Sequence, residues 1–333
     1  MMSIPQRGQL PDEVGFILRA LDAAAHILHT VGRSTSTARK EDRTPVTTVD
    51  LAVQAAVAGL LVRVFPDDIL VGEENADVLR NPRAARLRAA TLAATRLVHP
   101  GVAEDQLLAW LDRGRGEPVR RFWTLDPVDG TKGLLRGGQF AAALALIEGG
   151  AVVLGGMACP RYPVNVKGGS VAVAVRGDGA WFAPSTGGPW ARLTVSDEAR
   201  PQRCRLVRSV VSGRETSRRL AAIRSALGTN APETRMDSQV KYLAVAAGDG
   251  ETVVRLPRKR GVLLENIWDH ACGVLLVEEA GGTCTDTEGR PLDFASARQM
   301  VRNRGVVASN GRLHAAILDA LRTTAADRSG GAL

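Results

Sequence analysis

The sequence predicts an α/β protein, and three observations support this class. Residues 12–31 place apolar side chains at helical spacing. Apolar segments alternate with glycine turns across 140–185, which is typical of antiparallel sheet. From about residue 205 onward, short strand-like segments alternate with helical ones. We therefore expect an N-terminal α+β region followed by a C-terminal α/β region.

The N-terminal region is predicted to contain helices, short strands and one long loop. In order, its elements are a helix over 12–31, an exposed loop over 32–44, a helix from about Asp50 to Phe65, a strand over 69–72, a helical insertion over 77–120 and a strand over 122–125. Pro66 ends the second helix, because proline cannot continue the helical hydrogen bonding. Gly149-Gly150 predicts a turn between two strands of the antiparallel sheet.

The C-terminal region alternates strands with helices. Its predicted elements are strands near 205–211 and 252–256 and helices near 215–227, 238–248 and 268–280. A polar stretch around 190–203 is the predicted boundary, so we expect domains over 1–193 and 194–325. The tail, 326–333, is rich in alanine, glycine and serine and is predicted to be disordered.

Composition excludes several classes of protein. The 333 residues are 45% hydrophobic, 23% charged and 4% aromatic, which excludes collagen-like, disulfide-scaffold and wholly disordered chains. Lys plus Arg number 43 against 35 Asp plus Glu, and the resulting formal charge of +8 permits polyanionic partners without identifying one.

The cysteines predict a reducing compartment. Four are scattered along the chain without any CxxC pair: Cys159, Cys204, Cys272 and Cys284. No apolar run reaches about 18 residues without a charge, and the N-terminus lacks the apolar core of a signal peptide. We therefore expect a cytoplasmic protein that does not bind a membrane. We also expect it to be a monomer or homodimer that does not bind nucleic acid.

Four segments carry acidic residues where strand-to-loop geometry would expose them. They are Asp50, Glu73-Glu74, Asp126 with Asp129, and Asp269. In the DPVDGT segment, Pro127 stiffens the turn after a strand and Gly130 allows a sharp bend, so the two carboxylates can converge. Carboxylate and carbonyl oxygens suit Mg²⁺, and several carboxylates close together repel one another without a cation. The acids therefore predict a metal site.

Each of these residues also has a structural interpretation, and the residues alone leave both open. Asp50 and Asp269 are candidates for helix N-caps. Asp126 and Asp129 are candidates for turn formers. His270 lies on an apolar helix face, where a structural histidine is common.

Four segments taken together resemble the inositol-monophosphatase superfamily of metal-dependent, lithium-sensitive phosphatases. They are TPVTTVD (44–50), VGEEN (71–75), WTLDPVDGTKGLLRGGQFAAALALIEGG (123–150) and IWDHACGVLLVEEAGGTCTDTEGRPLDF (267–294). The segments TKGLLRGGQFA, DSQVKYLAVAAGDG (237–250) and VVRLP (253–257) resemble its 3'(2'),5'-bisphosphate nucleotidase branch, of the yeast and plant salt-tolerance type. The resemblance spans about residues 12–320.

The resemblance implies a five-layered α-β-α-β-α sandwich with a site between its two parts, and a cofactor of two or three Mg²⁺ ions. The metal ligands that it implies are Glu73, Asp126, the Val128 carbonyl, Asp129 and Asp269. Asp50 and Thr131 would orient and deprotonate the attacking water, as in two-metal phosphoryl hydrolysis.

The resemblance also implies a substrate, the small molecule adenosine 3'(2'),5'-bisphosphate, which is hydrolysed to AMP and phosphate. The sulfated form of this nucleotide, 3'-phosphoadenylyl sulfate, is a second expected substrate. The residues implied to bind substrate are Gly130, Thr131, Arg214, Ser238, Lys241, Arg255 and Asp269. Arg214 stands where the branch has a histidine lining the adenine pocket, and its flat cation can stack on a base.

Three other functions are weighed against this one. A phosphatase acting on inositol or another sugar phosphate would share the metal core and differ only in the pocket. A nucleic-acid-binding protein is disfavoured, since no zinc finger, basic zipper or aromatic RNA-binding motif is present. An inactive regulator is disfavoured because the five positions implied to bind metal, and the two implied to activate water, all carry residues able to do so. The insertion over 77–120 is interpreted as a lid, a partner surface or variable structure.

Overall fold

A layer of helices lies between two β-sheets in this computed structural model, which describes residues 10–32, 35–39, 45–163, 166–257 and 264–329. The helices within these residues are α1 (Pro11–Val31), α2 (Thr48–Val64), α3 (Asp77–Arg80), α4 (Ala85–Thr95), α5 (Glu104–Asp112), α6 (Thr131–Leu135), α7 (Arg214–Ala226), α8 (Val240–Ala246), α9 (Ala271–Glu279) and α10 (His314–Ser329). Short 3-10 helices cover Pro82–Ala84, Pro201–Arg203 and Ile267–Asp269.

The strands form a small ribbon and two sheets. They are β1 (Thr37–Arg39), β2 (Pro45–Thr47), β3 (Ile69–Gly72), β4 (Arg121–Asp129), β5 (Ala141–Glu148), β6 (Ala151–Cys159), β7 (Ser170–Val175), β8 (Gly179–Pro184), β9 (Ala191–Arg192), β10 (Leu206–Arg208), β11 (Thr234–Arg235), β12 (Thr252–Arg255), β13 (Thr283–Thr285) and β14 (Val306–Ser309). The larger sheet has the order β3-β4-β5-β6-β7-β8-β9, and the smaller has the order β11-β10-β12-β14-β13.

Five layers follow from the face that each helix covers. α1 and α2 pack on one face of the seven-stranded sheet. α8 and α9 lie between the two sheets, and their buried side chains form one continuous cluster with both. α7 and α10 cover the outer face of the five-stranded sheet. The expected α-β-α-β-α order is therefore confirmed.

α1 has the position of a core helix. Within the described residues it is the one helix that is long and apolar enough to cross a membrane, judged by length and composition alone. Of the 18-residue stretch of α1 that is apolar enough to span a membrane, 56% is buried in this fold. This stretch packs against α2 and the seven-stranded sheet. An apolar stripe facing the core explains such a helix in a globular fold.

The predicted helical insertion over 77–120 is confirmed. α3, α4 and α5 pack on α2 through a cluster that includes Leu51, Leu79 and Leu107. The segment after α5 returns along the edge of the seven-stranded sheet, where Arg115 forms a bridge with Val71. The insertion therefore thickens the helical layer and closes that sheet edge.

Several predicted boundaries were wrong, and long-range pairing explains the largest differences. Within the predicted loop over 32–44, Thr37–Arg39 form a strand, because they pair with Pro45–Thr47. The helix predicted near 268–280 is divided into a 3-10 helix and α9, while α8 begins only at Val240. The strands β11, β13 and β14 were not predicted; each is a short edge or pairing segment with little periodicity of its own.

The predicted disordered tail is partly helical. α10 runs to Ser329, so the backbone of 326–329 is helical, and residues 330–333 lie outside the described residues. Alanine and arginine in this stretch favour helix, and Gly330-Gly331 follows directly in the sequence. The seven-stranded sheet ends at β9 and the five-stranded sheet begins with β10; the division into domains over 1–193 and 194–325 stays a prediction.

The contact between α8 and α9 leaves no room for a side chain at Gly273. A Cβ there would lie 2.5 Å from the ring of Tyr242, which is buried. We expect Gly273→Ala to force the two helices apart and to lower the free energy of unfolding by about 1–3 kcal/mol. Urea denaturation followed by circular dichroism measures this change.

Gly101→Ala is the matched control, because nothing lies within 4 Å of a Cβ at that position. Its unfolding midpoint should equal that of the wild type. Equal midpoints for both variants would contradict the close helix contact.

Candidate active site

The candidate site begins where the parallel strands β3 and β4 end side by side. Gly72 pairs with Leu125 in their register, so Glu73 and Asp126 are the next residues on adjacent strands. The Glu73 N–H donates to the Leu125 carbonyl oxygen at 3.1 Å, and the Glu73 and Asp126 side chains are in hydrogen-bond contact. The structure therefore brings two of the predicted metal ligands together.

A β-bulge places the second acid of the DPVDGT segment. The strand predicted to end at Leu125 continues to Asp129, and its pairing with β5 shifts between Asp126 and Asp129. Residues three apart on a regular strand point to opposite faces, so the extra residue lets both carboxylates face the cleft. The Val128 N–H donates to Asp126 Oδ1 at 3.1 Å and holds that carboxylate over the bulge.

Asp50 is held by a capping box at the start of α2. Thr47, not Asp50, is the N-cap, so the N-cap interpretation of Asp50 was wrong. The Thr47 N–H donates to Asp50 Oδ2 at 2.9 Å, and the Asp50 N–H donates to Thr47 Oγ1 at 3.4 Å. The remaining oxygen, Asp50 Oδ1, is therefore free to accept a bond from Thr131 Oγ1, at 3.0 Å.

Thr131 is the first residue of α6 and stands between two acceptors. Its hydroxyl lies 3.0 Å from Asp50 Oδ1 and 3.2 Å from the Val128 carbonyl oxygen, and its single hydrogen serves one of them at a time. Burial raises the pKa of Asp50 to about 6; hydrogen bonds from Thr47 oppose this, and the charge of Glu73 adds to it. A carboxylate of this basicity is suited to accept a proton near neutral pH.

Gly130 allows the chain to turn sharply from β4 into α6. Its φ of +89° lies in the left-handed region, and a Cβ there would approach the Ser238 Cβ to 3.0 Å. Ser238 itself has φ +65°, which is uncommon for a residue with a side chain. The turn after Asp129 and the turn before α8 are therefore packed directly against each other.

Burial and the charges of neighbouring carboxylates raise the pKa of three aspartates in this cleft. For Asp126, burial is the largest cause, and the charges of Glu73, Asp129 and Asp269 add to it. For Asp269, burial and then the charges of Asp129 and Glu73 raise the pKa to about 8. Burial also raises the pKa of Asp129, against the opposing charges of Lys241 and Arg255.

This donor set suits a hard divalent cation. Carboxylate oxygens that repel one another inside a protein are stabilised by a positive ion, and oxygen is the donor that Mg²⁺ prefers. The Val128 carbonyl borders the same bulge and is a further oxygen donor. The ligand set that the sequence predicted is thus chemically consistent with Mg²⁺, and its exact membership stays a prediction.

Asp269 ends the 3-10 helix before α9. His270 occupies the N-cap position of α9, so the N-cap interpretation of Asp269 was wrong. Asn266 Nδ2 donates to Asp269 Oδ2 at 3.3 Å. His270 uses both ring nitrogens, with Nδ1 2.6 Å from the Tyr242 hydroxyl and Nε2 3.2 Å from Glu265 Oε2, as befits a structural histidine.

Two adjoining cavities open beside the carboxylates. The smaller has a volume of about 130 Å³, and its lining includes Asp129, Asp269, Ser238, Lys241 and Arg255. The larger has a volume of about 280 Å³; it shares Ser209, Lys241 and Arg255 with the first, and its further lining includes Gly213, Thr216, Leu220 and Leu256. A substrate phosphate near the acids would therefore lie next to two cations and a mixed polar and apolar pocket.

The two cations are held by different partners. Lys241 is buried, and its Nζ donates to the Ser238 carbonyl oxygen at 2.5 Å. Burial lowers the pKa of Lys241 to about 8, while the charge of Asp129 raises it. Arg255 Nε donates to Glu265 Oε2 at 3.0 Å, and although burial opposes it, the charges of Glu265 and Asp269 raise the pKa of Arg255.

Arg214 is not brought to the cavity wall. It is the first residue of α7, its side chain is exposed, and its neighbours Gly213 and Thr216 line the larger cavity instead. The structure therefore does not place Arg214 beside Ser238, Lys241 and Arg255, and its contact with the base stays a prediction.

Sequence reasoning missed Gln239, which joins the two halves of the site. Its N–H donates to Asp129 Oδ2 at 2.6 Å, its Nε2 donates to the Trp268 carbonyl oxygen at 2.9 Å, and its Oε1 accepts from the Gly273 N–H at 3.3 Å. No local sequence pattern indicates these contacts, because the partners are 29 to 110 residues away. Thr47 was detectable, since a threonine three residues before an acid is a capping-box signature.

Known proteins match the chain along most of its length. The sequence profile of the inositol monophosphatase family matches residues 13–326. A protein from Emericella nidulans named 3'(2'),5'-bisphosphate nucleotidase is 34% identical over 87% of this chain and 91% of its own. Proteins of the same name from Schizosaccharomyces pombe and Oryza sativa are 36% and 35% identical, covering 84% and 85% of this chain and the same shares of their own.

Solved structures share the fold. An inositol monophosphatase (IMPase) from Thermotoga maritima has a TM-score of 0.68 at 22% identity, covering 95% of this chain and 99% of its own. An inositol monophosphatase from Anabaena has a TM-score of 0.63 at 20% identity, covering 95% and 97%. At this identity the likeness establishes the five-layered fold and not the substrate.

Neutralising one buried carboxylate tests the electrostatics of the site. We expect Asp126→Asn to melt in EDTA at or above the wild-type Tm, because the asparagine oxygen still accepts from Val128 while repulsion is removed. We also expect Mg²⁺ to raise the Tm of the wild type and to leave that of the variant unchanged. Thermal denaturation with and without MgCl₂ measures both.

Asp22→Asn, an exposed change on α1, should keep the wild-type response to Mg²⁺. A large drop in the Tm of Asp126→Asn in EDTA would show instead that this carboxylate is a structural support of the bulge.

Proposed function

The chain belongs to the inositol monophosphatase family, and we propose that it is a Mg²⁺-dependent 3'(2'),5'-bisphosphate nucleotidase. It removes the 3'(2')-phosphate of adenosine 3'(2'),5'-bisphosphate and yields AMP and phosphate, and it acts in the same way on 3'-phosphoadenylyl sulfate. The observation that carries this proposal is the position of Lys241 and Arg255 on the wall of the cavity that contains Asp129 and Asp269. A substrate with a second anionic group needs such cations, and a simple monophosphate does not.

The residues proposed to hold two or three Mg²⁺ ions are Glu73, Asp126, the Val128 carbonyl, Asp129 and Asp269. When bound, the ions supply an activated water and neutralise charge on the leaving oxygen. The protein fixes the ligand positions through the bulge in β4 and through the Gln239 N–H on Asp129.

Asp50 and Thr131 are proposed to take the proton of the attacking water. The Thr131 hydroxyl donates to Asp50 Oδ1 at 3.0 Å, so a proton lost by the water passes to the threonine as its own moves to the carboxylate. The capping box holds the other oxygen of Asp50 in place. Burial supports this role because it raises the pKa of Asp50 to about 6.

Lys241 and Arg255 are proposed to orient the nucleotide through its second phosphate or sulfate group. Ser238 and Gly130 bring the turn before α8 against the turn that follows Asp129, which keeps the cations close to the reacting phosphate. Ser209 and Thr216 supply hydroxyl groups to the larger cavity, where the nucleoside would lie, and Arg214, which follows Gly213 on its wall, is proposed to reach the base.

We further propose that the protein acts in the cytoplasm on a small molecule, as a monomer or homodimer, without nucleic acid or membrane. The four cysteines are free and buried, which is consistent with a reducing compartment.

The direct test compares phosphate release from adenosine 3',5'-bisphosphate and from inositol 1-phosphate, each with Mg²⁺ and with EDTA. We expect Mg²⁺-dependent turnover with a higher kcat/KM on the nucleotide, and no turnover in EDTA, because the acids need a cation. Faster turnover on inositol 1-phosphate would keep the metal chemistry and overturn the proposed substrate.

Removing either cation should separate the two substrates. We expect Lys241→Gln and Arg255→Gln to lower kcat/KM on the bisphosphate by about 10-fold or more, since each removes a charge-assisted bond. Turnover of inositol 1-phosphate should change much less. Steady-state kinetics on both substrates measures the difference.

Arg290→Gln, which removes an arginine bonded to Asp286 outside the described cavities, is the control for a general loss of charge. Equal losses on both substrates in the Lys241 and Arg255 variants would contradict the role given to these cations.

A further inference from the structure

Arg298 bonds three backbone carbonyls of the N-terminal region. Its Nη1 donates to the carbonyl oxygens of Gly114 and Gly116, at 3.0 and 2.6 Å, and its Nη2 donates to that of Gly72, at 2.6 Å. Gly72 is the last residue of β3 and directly precedes Glu73. The guanidinium therefore holds the end of the strand that carries one proposed metal ligand.

The same residue is bound to the segment that carries Asp269. The Arg298 guanidinium carbon lies 5.0 Å from the centre of the Trp268 ring, and Trp268 directly precedes Asp269. The Arg298 carbonyl accepts from the Ile267 N–H at 3.1 Å, and Asn266 forms a bridge with Gln299. Side chain and backbone of Arg298 thus join two segments that are about 200 residues apart in sequence.

The partners of Arg298 distinguish it from the ion-paired arginines of this protein. Within the part of the chain that the structure describes, its hydrogen-bond acceptors are neutral carbonyls, and burial lowers the pKa of its guanidinium. Packing over Trp268 would need only an apolar side chain. The flat fork of an arginine is what can bond three carbonyls while stacking on an indole ring, and a lysine cannot do both.

We propose that Arg298 is a positioning residue that fixes the Glu73 segment relative to the Asp269 segment and so sets the affinity of the site for its metal ions. The inference rests on the metal site of the proposed function. Residues that orient metal ligands without touching the ion commonly change metal affinity 10- to 100-fold when they are replaced.

The test measures Mn²⁺ binding to the full-length, metal-free protein by electron paramagnetic resonance of the free ion, in the absence of substrate. Mn²⁺ is chosen because it binds oxygen ligands as Mg²⁺ does. We expect Arg298→Met and Arg298→Lys each to raise the Kd for Mn²⁺ about 10-fold or more. Arg298→Lys keeps the charge, and it serves as the test if the methionine variant does not fold.

Arg113→Met is the matched control. Arg113 Nη2 also bonds two backbone carbonyls, those of Pro66 and Asp68, at 2.8 and 3.0 Å, at the opposite end of β3. We expect Arg113→Met to lower the urea midpoint as the Arg298 variants do. Its Kd for Mn²⁺ should equal that of the wild type. If Arg113→Met raised the Kd for Mn²⁺ as much as the Arg298 variants, the effect would come from general destabilisation, and the proposal would be overturned.

Wild-type binding in both Arg298 variants, or full rescue by lysine, would also overturn it. A wild type that does not bind Mn²⁺ would overturn the proposed metal site together with this inference. A wild type that binds Mn²⁺ but does not hydrolyse the bisphosphate would overturn only the proposed substrate. The binding measurement does not depend on which ester is hydrolysed.

Discussion

The repulsion among carboxylates held inside one cleft is the constraint on which the rest of this structure depends. Burial raises the pKa of Asp126, Asp129 and Asp269, the charge of Glu73 adds to all three shifts, and the charge of Asp129 adds to those of Asp126 and Asp269. No folded chain gathers these groups unless its framework opposes the repulsion. Here the repulsion is opposed by the backbone N–H groups of Val128 and Gln239, which donate to Asp126 and Asp129, and by the nearby cations. Rigid packing behind the acids opposes it as well.

The layered fold supplies that rigid packing. α8 and α9 are buried between two sheets, and the tight contact of Gly273 with Tyr242 fixes one helix against the other. Asp269 therefore stands on the same rigid body as Gln239, whose backbone bonds Asp129. Interiors packed this closely transmit small displacements, so the positions of these carboxylates depend on contacts well outside the cleft.

The cations divide the cleft into two chemical zones. The charges of Lys241 and Arg255 oppose the burial that raises the pKa of Asp129, and the same two side chains line the larger cavity. Their own positions depend on Ser238 and Glu265, which in turn contact the turn after Asp129 and His270. Charge balance in the site and the proposed recognition of an anionic substrate thus depend on the same side chains.

The sequence by itself determined the family, the layered fold class and which acidic residues lie in the cleft, because these depend on local motifs. The DPVDGT segment carries its own proline and glycine, and the helical and strand periods are visible over 12–31 and 140–185. Only the tertiary structure decided the rest. The bulge in β4, the strand at 37–39, the outward position of Arg214 and the bonds of Gln239 and Arg298 all depend on partners distant in the chain. Local residue patterns carry no record of such partners, since a side chain's contacts are fixed by packing rather than by its neighbours in sequence.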